Sequence, residues 1–209
     1  MDITHLTPDA EGSIEWPSFS NDKKAVVTLG AFDGMHLGHQ AVIKRVVELA
    51  HQHDAFSVVI LFDPRPAFVH GWAASHHGEE PAVQNVDAEA LTSVDDRLHR
   101  MEQFGVDHVL VVHYTLAFAA MSYIFFLGRL TGKLGMRTLV LGQDAAMGKG
   151  REGDVKHIAN LAAAAVAALA PFGVAASAAV GVGVVYGVYG LAQGALGALA
   201  FGLPRSAGR

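Results

Sequence analysis

The chain alternates between two hydrophobic periods. Four runs rich in Val, Ile and Leu occur at 25–31, Phe56–Phe62, Val109–Val112 and Met136–Leu141, and Phe56–Phe62 is near-continuously apolar. Runs of this kind suit strands buried on both faces. Between the first two, Val42, Ile43, Val46, Val47 and Ala50 recur at helical spacing and predict a helix over 36–52. Ser93-Val94-Asp95-Asp96 reads as a helix-capping start, with a helix running to about Phe104 before Gly105, and Ser122–Leu134 reads as a further helix. The alternation predicts an α/β fold, a parallel sheet with helices on both faces. Residues 1–23, with Pro8 and Pro17, read as an irregular lead-in, residues 24–158 as one domain, and residues 71–91 as a long polar loop within it.

In parallel sheets, ligands gather at the carboxyl ends of the strands. Gly30–Asp33, Asp63–Pro66, Thr115 and Gly142–Asp144 all fall at such ends. The most informative segment is Gly30-Ala31-Phe32-Asp33-Gly34-Met35-His36-Leu37-Gly38-His39-Gln40. A strand passes through a glycine turn into a helix N-terminus, where the first N–H groups lack partners and the helix dipole favours an anion. Gly38 removes a Cβ where a phosphate would approach. His36 and His39, three apart, project from one face of the first turn. A His-x-x-His pair is also compatible with a metal site or two surface imidazoles, but the glycine turn around it favours phosphate contact.

The order of the motifs resembles the adenylyltransferase module of bacterial FAD synthetase, the bifunctional riboflavin kinase/FMN adenylyltransferase family, over residues 24–158. The histidine segment is followed by Phe62-Asp63-Pro64-Arg65-Pro66, similar to the family's Phe-Asp-Pro-His-Pro. Asp96-Arg97-Leu98, Tyr114–Ala119, Gly142-Gln143-Asp144, Gly148 and Arg151-Glu152-Gly153-Asp154 come next, in the family's order. The resemblance implies a Rossmann-like nucleotidyltransferase fold and transfer of AMP from ATP to FMN, giving FAD and pyrophosphate, with Mg²⁺ accompanying the ATP. It implies His36 and His39 as catalytic groups. On the ATP side it implies Gly30, Phe32, Asp33, Gly34, Gly38, Gly142, Asp144 and Arg151 beside the two histidines. On the flavin side it implies Phe62, Asp63, Pro64, Arg65 and Thr115, with Arg65 paired to the FMN phosphate. No metal-ligating residue of the protein itself is implied.

The departures carry expectations of their own. Position 65 is Arg where the family usually has His, and an aromatic-rich stretch is replaced by Ala145-Ala146-Met147. The family's Ser-Ser-Thr-x-Ile-Arg phosphate element aligns with Gly183–Val188, which has no Ser, Thr or Arg, so slowed turnover is expected. The sequence stops at Arg209, and no riboflavin kinase module is expected.

Charge and composition narrow the classes. A net charge of –5 argues against nucleic acid as partner. The absence of cysteine removes disulfide and thiol chemistry and fits a cytoplasmic setting, as does an N-terminus without a secretory signal. Small molecules are the expected partners, and the sequence leaves the oligomeric state open. Twelve histidines do not make a zinc site, since His51 and His53 do not share a helix face and His76-His77 has no accompanying cysteine. Arg97 reads as a solvated helix residue. Gly148–Gly153 matches Gly-x-Gly-x-x-Gly but lacks the following acid of a dinucleotide fold, and reads as a mobile phosphate-side loop.

Between Lys156 and Arg205 the chain carries no Asp, Glu, Lys or Arg. The 159–209 tail has three readings: weakly apolar membrane helices, final helices of the globular domain, or a degenerate end. The last two together are favoured and a membrane is not expected as partner, since Ala and Gly drive insertion poorly and Pro171 interrupts the first half. Beside the adenylyltransferase stand two alternatives, a non-catalytic nucleotide- or flavin-binding remnant and a tail-anchored membrane-associated protein.

Overall fold

Strand Phe56–Phe62 (β3) forms because its unbroken apolar run can be covered on both sides: Val58, Ile60 and Phe62 enter one core, Val59 and Leu61 the other. The same division runs through the neighbouring strands. In Ala25–Gly30 (β2), Ala25 and Val27 face one way and Val26 the other. In His108–Val112 (β4), Leu110 and Val112 oppose Val109 and Val111. With Asp2–Leu6 (β1) and Met136–Leu139 (β5), these strands make a parallel five-stranded sheet in the order β1-β4-β3-β2-β5. The computed structural model describes residues 1–19, 23–82, 84–142 and 144–169. Gln143, Gly183–Val188 and the rest of the tail beyond Leu169, with all readings made of them, lie outside the described residues.

Helix Leu37–Gln52 (α1) turns Ile43, Val46 and Ala50 inward. Val94–Gln103 (α3) covers the same side of the sheet through Leu98 and Met101. It starts at a reciprocal cap in which Ser93 and Asp96 each bond the other's backbone N–H. The opposite side is covered by Tyr123–Leu134 (α5) and Val155–Leu169 (α6). Gly135, at φ +64°, ends α5 in the left-handed conformation and lets the chain turn directly into β5.

Three expectations change. The lead-in is not irregular throughout: Asp2–Leu6 is an edge strand registered with β4, and Trp16 is buried against Phe126 with ring centroids 5.8 Å apart. Its polar sequence hid the strand, because an edge strand exposed along most of its length needs few apolar residues. The loop expected over 71–91 is shorter, since Pro66–Ser75 (α2) is helical. Pro66 sits at the first helical position, where its missing N–H costs nothing, and Val69 is the buried anchor. The boundary drawn at residue 158 falls inside α6, whose Ile158 is fully buried. Among the described residues, no helix is long and apolar enough to cross a membrane.

Candidate nucleotide and flavin site

The chain runs from β2 through β3 to β4 in one direction across the sheet, then returns to place β5 on the other side of β2. The reversal puts a topological switch point at the carboxyl ends of β2 and β5, the usual ligand position in such sheets. The N-terminus of α1 stands over the end of β2. His36 is its N-cap, and its Nδ1 accepts the His39 N–H at 3.4 Å. The imidazoles of His36 and His39 stack with centroids 3.6 Å apart, and Phe32 meets the His39 ring edge-on at 5.3 Å. Gly38 is buried between the two histidines.

Burial, together with the neighbouring His36, pulls the His39 imidazole down to about 4, outweighing a hydrogen bond to the Asp33 backbone and the Asp33 charge. His39 is therefore neutral near pH 7. Its Nδ1 is buried with no hydrogen-bond partner in the protein. A buried, unpaired ring nitrogen is costly and needs an explanation. Among the described residues no protein atom supplies that partner. At the end of β5, a Cβ placed on Gly142 would meet no protein atom within 4 Å, so the space beside its backbone is open.

The turn after β2 is held differently. Asp33 accepts the N–H groups of Leu91 (3.0 Å) and Thr92 (3.0 Å) and the Thr92 hydroxyl (3.0 Å), while the Gly34 N–H donates to that hydroxyl at 2.9 Å. Burial pushes the Asp33 carboxyl up, but these bonds and the Arg65 charge outweigh it and hold it below the ordinary range. Gly34 is required as glycine: φ is +69°, and a Cβ would lie 2.9 Å from the Leu91 side chain. Asp33 and Gly34, expected beside ATP, are engaged with the 91–92 segment.

Phe62, Tyr114 and Phe118 form an aromatic wall at the ends of β3 and β4, with centroid distances of 5.4 to 5.9 Å. His70 bonds the Tyr114 hydroxyl at 3.0 Å. Burial pushes the Tyr114 phenol up, against a smaller downward pull from Arg151. Arg151, expected on the nucleotide side, is thus close enough for its charge to reach this wall, and its Nη2 donates to the Asp144 carbonyl at 3.2 Å. Thr115 caps the short helix Leu116–Ala119 (α4) by accepting the Phe118 N–H at 3.0 Å.

Arg97 corrects the sequence reading. It is 2% exposed, not solvated. Its Nη1 donates to the Ala31 carbonyl at 2.8 Å, its Nη2 to Asp63 Oδ1 at 3.0 Å and its Nε to the Ser93 carbonyl at 3.1 Å. One guanidinium therefore joins the ends of β2 and β3 to the start of α3. The signal was present in the helical period, which puts Arg97 on the face of Val94, Leu98 and Met101. Arg65 is also engaged: its Nε and Nη2 fork onto Asp87 at 2.6 and 2.7 Å, and its Nη1 lies 3.4 Å from Asp33. Sequence reasoning missed Asp87, Thr92 and Tyr114's hydrogen-bonded hydroxyl.

The glycine-rich segment is also not a free loop. Ala146–Met147 (β6) and Gly153–Asp154 (β7) pair antiparallel around it. Cβ atoms on Gly148 and Gly153 would fall 2.6 and 2.5 Å from Tyr123 atoms, so both glycines are needed for Tyr123 to pack there.

Residues 18–176 match the family model described as FAD synthetase. A bifunctional riboflavin kinase/FMN adenylyltransferase of Listeria monocytogenes is 33% identical over 150 residues, 71% of this chain and 42% of that protein. One from Escherichia coli is 34% identical over 130 residues, 62% of this chain and 38% of that protein. The aligned part of the chain thus spans about two fifths of these relatives. A crystal structure titled as a macrolide-efflux protein from Streptococcus pneumoniae superposes with a TM-score of 0.55 at 19% identity, covering 76% of this chain and 55% of that one. That likeness bears on the fold alone.

Proposed function

This chain belongs to the FAD synthetase family, and we propose that it is an FMN adenylyltransferase, transferring AMP from ATP to FMN. A phosphate oxygen of FMN attacks the α-phosphorus of ATP in line, the bond from that phosphorus to the bridging oxygen breaks, and pyrophosphate leaves with FAD as product. No covalent enzyme intermediate is needed, so the protein's work is positioning and charge stabilisation.

The observation that carries this reading is the stacked His36–His39 pair at the N-terminus of α1, with the buried Nδ1 of His39 unpaired. The two imidazoles and the first amides of α1 hold the triphosphate and stabilise charge on the departing pyrophosphate. His39, neutral before binding, acts through its hydrogen bond. Gly142 leaves room for close approach of the nucleotide. Phe62, Asp63, Pro64, Arg65 and Thr115 border the flavin, with the isoalloxazine against the aromatic wall of Phe62 and Tyr114.

Mg²⁺ is read as entering with ATP. Among the described residues no group of three His, Asp or Glu side chains is placed to hold a metal ion, so the protein's own residues are not assigned as its ligands and no step is routed through the ion. The partners are these small molecules, and the setting is read as cytoplasmic. The test is incubation of the purified chain with ATP, Mg²⁺ and FMN, followed by chromatography for FAD and a pyrophosphate assay. Stoichiometric FAD and pyrophosphate are expected, and absence of both under saturating substrates overturns the reading.

A further inference from the structure

Arg65 already holds an anion. Asp87 meets its Nε and Nη2 with both carboxylate oxygens, at 2.6 and 2.7 Å, and the two side chains are only 16% and 12% exposed. This parallel fork is also the geometry in which a guanidinium takes two phosphate oxygens. We propose that Asp87 is a built-in competitor for the phosphate monoester of the flavin substrate, occupying the Arg65 fork until that phosphate displaces it. The proposal rests on the reading of Arg65 as a flavin-side residue.

The segment that carries Asp87 is tethered in a way that permits exchange. At its far end, Leu91 and Thr92 are fixed to Asp33 by their amides and the Thr92 hydroxyl. At its near end, the Asp87 carboxylate also accepts the Glu89 N–H at 3.2 Å, and the Asp87 carbonyl accepts the Ala90 N–H at 3.1 Å. Val86 and Leu91 remain 82% and 78% exposed, so the segment buries little apolar surface. Its near end is held chiefly by the ion pair. Release of Asp87 therefore gives up one strong contact and leaves the Asp33 anchor in place.

Charge makes the two occupants exclusive. Asp33, Asp87 and Glu89 all act on Arg65. Adding a phosphate dianion to that set would put four anionic groups around one cation. When Asp87 swings out it takes Glu89 with it, leaving Asp33 as the remaining counter-charge. Riboflavin, which has no phosphate, cannot drive this exchange, so Asp87 tunes discrimination between phosphorylated and unphosphorylated flavin. A purely structural Arg65–Asp87 pair has no such dependence on the ligand's phosphate.

The experiment titrates FMN and riboflavin into the purified chain by flavin fluorescence quenching, with Asp87→Asn and Arg65→Gln beside the parent. Asp87→Asn is expected to tighten FMN binding about tenfold, the equivalent of losing one competing charge-assisted pair, and to leave riboflavin binding unchanged. Arg65→Gln is expected to bring the two flavins to equal affinity. Carboxyl-carbon NMR of Asp87 in the unmodified chain gives a second readout that does not depend on a variant folding: FMN, but not riboflavin, is expected to shift the Asp87 signal as the carboxylate leaves Arg65. Unchanged or weaker FMN binding by a folded Asp87→Asn, or equal effects of the two flavins on the Asp87 carboxyl signal, overturns the proposal while leaving the adenylyltransferase reading standing. Binding of neither flavin by the parent chain overturns the flavin side of that reading, and this proposal with it.

Discussion

The two sides of the proposed site solve their polar bonding in opposite ways. On the proposed nucleotide side, the His39 Nδ1 is buried without a partner, and the space beside Gly142 is empty of protein. Around the proposed flavin side, Arg97, Arg65, Asp63 and the ATP-side candidate Asp33 are tied to one another, to Thr92 or to Asp87 by direct bonds. An unpaired buried nitrogen leaves a bond to be made, whereas the bonds of Arg97 hold the strand ends in place. Substitutions on the first side should therefore cost function more than stability, and substitution of Arg97, which joins the strand ends, the reverse.

The sharpest way to break this contrast is Arg97→Met. It leaves the Ala31 and Ser93 carbonyls and the Asp63 carboxylate without their shared donor, as when one member of a buried ion pair is removed, which typically costs about 3–5 kcal/mol. Asp63 is 39% exposed and can recover some solvation, so a loss of about 3 kcal/mol is expected, near the lower end of that range. In a urea titration the midpoint falls with the slope unchanged. A midpoint equal to the parent's would mean that the network does not hold the strand ends.

The opposite arm is His36→Ala and His39→Ala. Each removes one group proposed to meet the triphosphate, and the expected loss of turnover is about 10²-fold, the scale of a lost transition-state donor. His39→Ala also deletes the unpaired Nδ1, so its urea midpoint should fall much less than that of Arg97→Met. Full FAD formation by both histidine variants would remove the nucleotide side from its proposed place.

A smaller pair of effects separates the glycines. Gly153→Ala forces a Cβ to 2.5 Å from Tyr123 and is expected to cost about 1–3 kcal/mol of stability, as overpacking does. Gly142→Ala meets no protein atom, so its stability should hold while ATP affinity falls about tenfold, near 1.4 kcal/mol. Thermal melts and nucleotide titrations read both, and equal loss of stability in the two variants would erase the distinction.

These contrasts also mark how far the sequence could be read. Strands with two buried faces announce themselves: Phe56–Phe62 was delimited by its apolar run alone. The capping start at Ser93 and the His36–His39 pair were legible because each is a local pattern of three or four residues. Edge strand Asp2–Leu6 was not, since its pairing with β4 and not its own hydrophobicity makes it a strand. The flavin-side network was hidden for a related reason. Asp33 and Leu91 are 58 residues apart, Arg97 and Ala31 are 66 apart, and only the folded sheet brings them together. Arg97 is the one member whose burial could have been inferred, by letting helical phase outrank its charge.

The smallest effect probes the nucleotide side without altering it. His39 is expected to titrate at about 4 in the free protein, because burial and the neighbouring His36 disfavour its charged form. A triphosphate beside the ring favours that charged form, so its pKa in the complex must lie above the free value. By linkage, binding then takes up protons between the two values, and ATP affinity rises as pH falls through that window. A rise of about one unit, near 1.4 kcal/mol, is expected. NMR of the His39 ring with and without ATP measures it directly, with His36→Ala as a control, since removing that neighbour should raise the free value. Stability carries the matching sign: a histidine depressed by folding favours the folded chain above its unfolded pKa of about 6.5, and that contribution fades as pH falls toward 4. A His39 pKa that stays put or falls when ATP binds would mean that the unpaired nitrogen faces something other than phosphate.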